Sequence, residues 1–201
     1  MCGRFTVSVD VEEIAKAVEA VVAPELTARV KPTWNAAPTL ERWIVQPSPA
    51  GRVLVPAVWG VHGGLINIRS ETAERKFAAA YRDRRVVVPA DGFYEWRGKQ
   101  PVLFKPRAGG IFVFAGLAEQ LPDGREGFAV MTMAADGEIA RIHDRMPVIL
   151  PRDAVAAWLS ESRLSPMSGA ELVSREVSRL VNDVRNEGPQ LLKPPDQLAL
   201  F

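Results

Sequence analysis

Residues 86–98 read VVVPADGFYEWRG. A β-branched run, an Asp-Gly break and an aromatic run follow in quick succession, which predicts a strand, a turn and a second strand at the centre of the chain. Downstream, VLFKP (102–106), GIFVFAGLAE (110–119) and GFAVMTMAA (127–135) extend the β-rich centre. Upstream, RWIVQ (42–46), RVLVPAVWG (52–60) and LINIRS (65–70) do the same, and RFTVSV (4–9) places a strand almost at the N-terminus.

Helices are predicted around this centre. DVEEIAKAVEAVV (10–22) opens with Asp10 and carries Glu13 three residues later, a capping-box start before apolar residues at helical spacing. ETAERKFAAAYRDRR (71–85) has the alanine and charge content of a helix, and PRDAVAAWL (151–159) starts with the proline favoured in a first turn. KPTWNAAPTL (31–40), with two prolines and an asparagine, is expected to be an ordered loop. REVSRLVNDVRNEGPQLLKPP (175–195) reads as one more strand followed by an irregular tail from about residue 185. No repeat, low-complexity linker or composition break divides the chain. The expectation is a single compact α+β domain over 1–201, with mixed or antiparallel sheet, a barrel-like core and a few peripheral helices.

Composition narrows the function. The 201 residues include 47% hydrophobic and 24% charged residues, as in soluble globular proteins. No apolar run approaches a membrane span and no signal core precedes the first strand, so a cytoplasmic protein with no membrane partner is expected. One cysteine leaves a free thiol and excludes the usual multi-cysteine zinc sites; neither metal nor cofactor is expected. A net charge of +1 gives no whole-protein pull toward nucleic acid, so any such contact needs a local patch.

The single cysteine is Cys2, in MCGRF. With Met1 removed, it carries an amine and a thiol on adjacent carbons, a pair that condenses with an aldehyde to an imine and then closes a thiazolidine. Reference pKa values of about 7.7 to 8.0 for the amine and about 8.5 for the thiol keep part of each nucleophilic near neutrality. Three further residues could do chemistry. His143, in RIHDRMPVI, lies among charged neighbours and could move protons. Glu95, between Tyr94 and Trp96, is placed for a raised carboxyl pKa, and Asn67, in INIRSET, could bond a substrate oxygen. Each also has a structural reading, as a surface histidine, a solvent-facing carboxylate or a turn cap.

One spacing joins them. Arg4, Arg69 and Arg145 follow Cys2, Asn67 and His143 by two residues, the same-face spacing of an extended chain. Guanidinium forks beside each candidate suggest an anion-binding groove.

Taken in order, MCGRF, WNAAPT, INIRSET, RRVVVPADGFYEW, GIFVFAGL and IHDRMPVIL resemble the SRAP family of SOS-response-associated peptidases, which bind abasic sites. The likeness runs from residue 2 to about residue 150, with a looser match in VSRLVNDVRNEGPQLL. It implies recognition of abasic sites in single-stranded DNA and a covalent thiazolidine crosslink through Cys2, single-turnover or slowly reversible, by a monomer associated with the nucleoid when bound to damage. It also implies roles: Cys2 as nucleophile, Asn67 to position sugar and N-terminus, Glu95 to open the sugar ring, His143 as acid or base on the imine and in reversal. Arg4, Arg69 and Arg145 would hold phosphates, with Thr132 a further contact. Asn35 and Pro38 would meet the flanking strand, and Trp59 and Trp34 are candidates either for core packing or for base stacking, which contributes about 1 to 3 kcal/mol per base in single-strand binders. WGVHGGL (59–65) departs from the family, which carries a second aromatic there; His62 in it reads as a surface residue.

Two other functions fit the same residues. An N-terminal-nucleophile thiol peptidase, able to remove its own Met1, would use Cys2 on a carbonyl and Asn67 on the oxyanion. A non-covalent single-stranded DNA reader would use the arginines alone.

Overall fold

The computed structural model describes residues 2–195. In chain order the elements are β1 (Phe5–Val7), α1 (Val11–Val18), β2 (Ala20–Val22), β3 (Thr33–Ala36), β4 (Glu41–Ser48), β5 (Gly51–Trp59), β6 (Asn67–Arg69), α2 (Ser70–Lys76) and α3 (Ala78–Asp83). There follow β7 (Arg85–Ala90), β8 (Gly92–Arg97), β9 (Gln100–Pro106), β10 (Phe112–Gln120), β11 (Glu126–Ala134), β12 (Arg145–Pro147), β13 (Ile149–Leu150), α4 (Ala154–Glu161) and β14 (Leu172–Glu176). Among the described residues, no helix is long and apolar enough to cross a membrane.

Two sheets share the core. One has the order β14-β9-β8-β1-β3; the other runs β12-β11-β10-β7-β4-β5-β2. In the second, β5 returns to pair in parallel with β11, through Val58 beside Gly127 and Trp59 beside Phe128. Strands β11, β10, β7, β4 and β5 therefore close on themselves, which removes two sheet edges and makes the expected barrel-like core. Most pairings are antiparallel, so the fold class is α+β with mixed sheet, as the strand-rich centre implied.

The Asp-Gly of the opening stretch is not a hairpin turn. It carries the chain from β7, in the barrel, to β8, in the other sheet. The Asp91 carboxylate holds this corner by accepting from the Thr6 hydroxyl, from the Ser8 amide at 2.9 Å and from the Ser8 hydroxyl at 2.5 Å. A Cβ at Gly92 would stand 2.8 Å from Thr6 Oγ1 and 2.9 Å from Leu103 Cδ1, so close packing rather than backbone conformation demands glycine there. Where the sheets meet, Phe114 touches Phe5 and Phe93 edge to face, at centroid distances of 5.8 and 6.0 Å, and Phe5 leans on Trp59 at 5.0 Å.

Four sequence expectations need correcting. Residues 33–36, expected in a loop, form β3 because pairing with β1 (Phe5 beside Ala36, Val7 beside Thr33) outweighs the turn chemistry, while Pro32 and Pro38 stay outside the rungs. The first helix stops at Val18: Glu19 is left-handed, and residues 20–22 join β5 in parallel instead. The predicted helix over 71–85 breaks at Phe77, whose φ of −128° and ψ of 39° separate α2 from α3 while its ring packs against the core. The late strand lies at 172–176, alongside β9, and 179–182 and 189–192 are short 3-10 turns. The last part of the expected tail, 196–201, lies outside the described residues.

Candidate active site

The entry to β1, together with β6, β8 and the segment leading into β12, converges on Cys2. Cys2 is fully buried. Asn67, the first residue of β6, donates its side-chain amide to the Cys2 carbonyl at 2.8 Å. β6 is placed by parallel pairing with β11, Asn67 beside Val130 and Arg69 beside Thr132, so the barrel wall positions the asparagine. The Asn67 Oδ1 is buried and accepts no hydrogen bond among the described residues, leaving an acceptor at the site.

Glu95 reaches the same place from β8. That strand pairs with β1 through Phe5 beside Phe93, and the Tyr94 amide donates to Arg4 O at 3.0 Å, which carries Glu95 alongside the residues preceding Arg4. Glu95 is only 3% exposed. Burial raises its carboxyl pKa, and the His143 charge is among the positive charges opposing that shift. Burial, then the nearby Glu95 carboxylate, push the Cys2 thiol far up, so it rests as a neutral S–H.

His143 precedes β12 and is partly exposed. Its Nδ1 lies 3.0 Å from the Arg145 amide nitrogen and 2.8 Å from Asp144 Oδ1. The amide needs a lone pair on Nδ1 and the carboxylate needs a proton there. The two contacts therefore serve the two protonation states, the neutral ring accepting from Arg145 and the imidazolium donating to Asp144.

Of the three spaced arginines, only Arg69 is exposed. Arg145 forks onto Glu71 at 2.6 and 2.9 Å and donates to Thr132 O at 2.7 Å, holding the Glu71 carboxyl at about 2. Thr132 is fully buried and takes a longer bond, 3.3 Å, from the same guanidinium. Arg4 donates to Asn35 Oδ1 at 2.6 Å and to Val181 O at 2.9 Å, with its guanidinium carbon 5.7 Å from the centre of the Trp96 ring. Arg4 and Arg145 thus already use some of their donors within the fold, Nη1 of Arg4 and both Nη atoms of Arg145.

Two expected DNA contacts are also placed elsewhere. Asn35 is 1% exposed and its amide bonds the carbonyls of Val181, Asp183 and Asn186 at 3.4, 3.0 and 3.0 Å, tying the 181–186 segment to β3. Trp59 is fully buried, stacked on Phe128, with Nε1 donating to Ile66 O at 3.0 Å, so its ring offers no face to a base. Trp34 and Pro38 are partly exposed and His62 is exposed. Sequence reasoning did not single out Glu71 or Trp96. The first had a readable signal, an acid in the first turn of a helix directly after Arg69, and the second sits next to Glu95.

The arrangement thus combines a buried thiol, a carbonyl-anchoring amide, a carboxyl whose pKa burial raises and a histidine between the Arg145 amide and Asp144.

Known proteins are similar to this chain in sequence and in fold. The abasic site processing protein YedK of Escherichia coli is 30% identical, across 96% of this chain and all of its own. The abasic site processing protein YoqW of Bacillus subtilis is 29% identical, across 96% and 99%. A crystal structure of a Bacteroides thetaiotaomicron protein superposes with a TM-score of 0.79 at 19% identity, covering 96% of this chain and 99% of that one. A phage-related protein of Bordetella bronchiseptica superposes with a TM-score of 0.71 at 25% identity, covering 97% and 100%. Residues 1–184 match the SOS response associated peptidase (SRAP) family, and the chain belongs to it.

Proposed function

We propose that this protein processes abasic sites in single-stranded DNA by forming a covalent crosslink through Cys2 once Met1 has been removed. The observation that carries the reading is the Asn67 side chain fixing the Cys2 carbonyl at 2.8 Å beside a buried Glu95. Similarity to proteins named for abasic site processing supports the substrate.

An abasic sugar rests mainly as a ring-closed hemiacetal. Glu95, whose pKa burial raises, gives a proton to the ring oxygen while the anomeric hydroxyl loses one, and the aldehyde opens with no net proton change. The Cys2 amine then adds to C1′, and loss of water leaves an imine. Sulfur adds to the imine carbon and the thiol proton ends on nitrogen, closing the thiazolidine and removing the imine that would otherwise lead to strand cleavage. A buried neutral thiol suits this order, because the amine attacks first and the S–H brings the proton that nitrogen requires. His143 shuttles protons in dehydration and, in reverse, protonates the ring nitrogen. The exposed Arg69 and the partly exposed Trp34 are the phosphate and base contacts that remain available.

The peptidase alternative is less well served. Asn67 donates to the carbonyl of Cys2, one peptide beyond the bond between residues 1 and 2, where an autoproteolytic oxyanion would form.

The test is incubation with a single-stranded oligonucleotide carrying one abasic site, followed by denaturing electrophoresis. A heat- and detergent-stable shifted band is expected from the wild type, and Cys2→Ser should give no product of thiazolidine chemistry. A band of unchanged stability and chemistry from Cys2→Ser would sink the assignment.

A further inference from the structure

A nucleotide within a strand has a phosphate on each side of its sugar, so a site that seats an abasic sugar is served by cations at both ends. Strands β6 and β12 flank β11 on opposite edges, which puts Asn67 and the His143 loop on opposite sides of that strand. Arg69 supplies the Asn67 side: it is exposed and follows Asn67 by two residues on β6. On the His143 side, Arg145 is only partly exposed and forks onto Glu71.

The loop that joins β11 to β12 and carries His143 holds a second cation. Its base is closed by the Ala135 amide, which donates to Asp144 O at 2.9 Å next to the Ala134–Arg145 pairing. The Asp136 carboxylate accepts from the Ser168 hydroxyl at 2.8 Å and from the Gly169 amide. A Cβ on Gly137 would stand 2.6 Å from Gly169 C, so this turn lies directly on residues 168–170. Ile139 is fully buried, and after the 3-10 turn Ile139–Arg141 the His143 amide donates to Ile139 O at 2.9 Å. On this fixed turn Arg141 is exposed. Three acids lie near it in sequence, and each is engaged elsewhere: Asp136 with Ser168, Glu138 with the Ser174 hydroxyl at 2.7 Å, and Asp144 with His143 at 2.8 Å. Among the described residues, no hydrogen bond or ion pair engages the Arg141 guanidinium.

We propose that Arg141 is a backbone phosphate contact of the site, holding the strand on the His143 side of the abasic sugar while Arg69 holds it on the Asn67 side. The choice of DNA as occupant rests on the abasic-site reading, whereas the free cation and its fixed turn do not. A guanidinium presents a fork to phosphate oxygens, and such a contact sets register and orientation without reading a base. With a net charge of only +1, the protein has no whole-molecule attraction for DNA, so each free cation beside the site weighs more in affinity.

The experiment titrates a dye-labelled single strand carrying one tetrahydrofuran residue, an abasic analogue without an aldehyde, with the full-length protein over a series of salt concentrations and in two flanking sequences. Arg141→Gln should bind about three- to ten-fold more weakly than the wild type in both sequences, with a log–log salt slope shallower by about 0.7. Arg141→Lys should keep the wild-type slope, and so should Arg125→Gln, which lies just before the opposite end of β11. Wild-type affinity and slope in Arg141→Gln, weaker binding with an unchanged slope, or an equal change in Arg125→Gln would overturn the proposal. Adduct formation by the wild type on aldehyde-bearing abasic-site DNA is scored in parallel. Its absence would overturn the crosslinking reading, whereas a normal adduct beside an unchanged Arg141→Gln slope would overturn this contact alone.

Discussion

Asn67 holds Cys2 by its carbonyl, at 2.8 Å, with the amide supplied by a strand that the barrel wall keeps in register. The bond fixes where the Cys2 carbonyl points without using the amine or the thiol. Asn67→Ala removes it, and a lost hydrogen bond of this kind is worth about 1 to 3 kcal/mol. Adduct formation on abasic-site DNA should slow by about ten- to a hundred-fold, with the melting temperature lowered by several degrees, as read by a quenched time course and a thermal scan. An unchanged rate would show that the carbonyl needs no anchor.

Glu95 carries the pH dependence. Burial raises its folded pKa above the unfolded value, so its contribution to stability is complete below the ordinary carboxylate range and is lost as pH rises through the folded value. Glu95→Gln, which cannot ionise, should therefore melt higher than the wild type at pH 8, with the gap closing toward pH 4. The same variant should form adduct more slowly. Calorimetric scans across that range check the first part, and a gap independent of pH would contradict it.

Asn35 fastens the 181–186 segment to β3. Asn35→Ala removes the amide bonds to the carbonyls of Val181, Asp183 and Asn186 and one acceptor of the Arg4 guanidinium, and should destabilise the fold by about 2 to 3 kcal/mol. Limited proteolysis should then cut first within 179–187. Trp59→Ala should cost about 3 to 5 kcal/mol, as for other buried aromatic truncations. Neither effect should depend on whether DNA is present.

Arg145 and Glu71 act as a pair. Because Arg145 also presents its amide to His143, loosening the fork should disturb the histidine. Glu71→Gln and Arg145→Lys should each slow crosslink reversal, and the double variant should be less impaired than the sum, with a coupling of about 0.5 kcal/mol or more. Strict additivity of the two effects would separate the pair from the histidine.

Much of this was legible in residues alone, for physical reasons that can be named. Alternating and β-branched runs such as 52–60 and 110–119 mark strands because side-chain period and burial coincide there. Cys2, Asn67, Glu95 and His143 were readable because each is a reactive type in a polar or aromatic setting, and the structure brings all four together. What stayed hidden depended on partners distant in sequence. No local signal says that β5 returns to β11, that Asp91 and Gly92 cross between sheets, or that Pro32 and Pro38 bracket a strand. The same holds for the arginines: spacing placed Arg4 and Arg145 near the site, but only the fold shows their donors taken by Asn35, Val181, Glu71 and Thr132.

The central claim is that the amine and thiol of Cys2 together take up an abasic aldehyde. Intact-mass spectrometry of the purified protein, before and after reaction with a single-stranded abasic-site oligonucleotide, tests it most directly. The account predicts a protein lacking Met1, then a one-to-one adduct equal to protein plus oligonucleotide less one water, resistant to borohydride because no imine remains. A reactive protein that retains Met1, or an adduct that borohydride reduces, would contradict it.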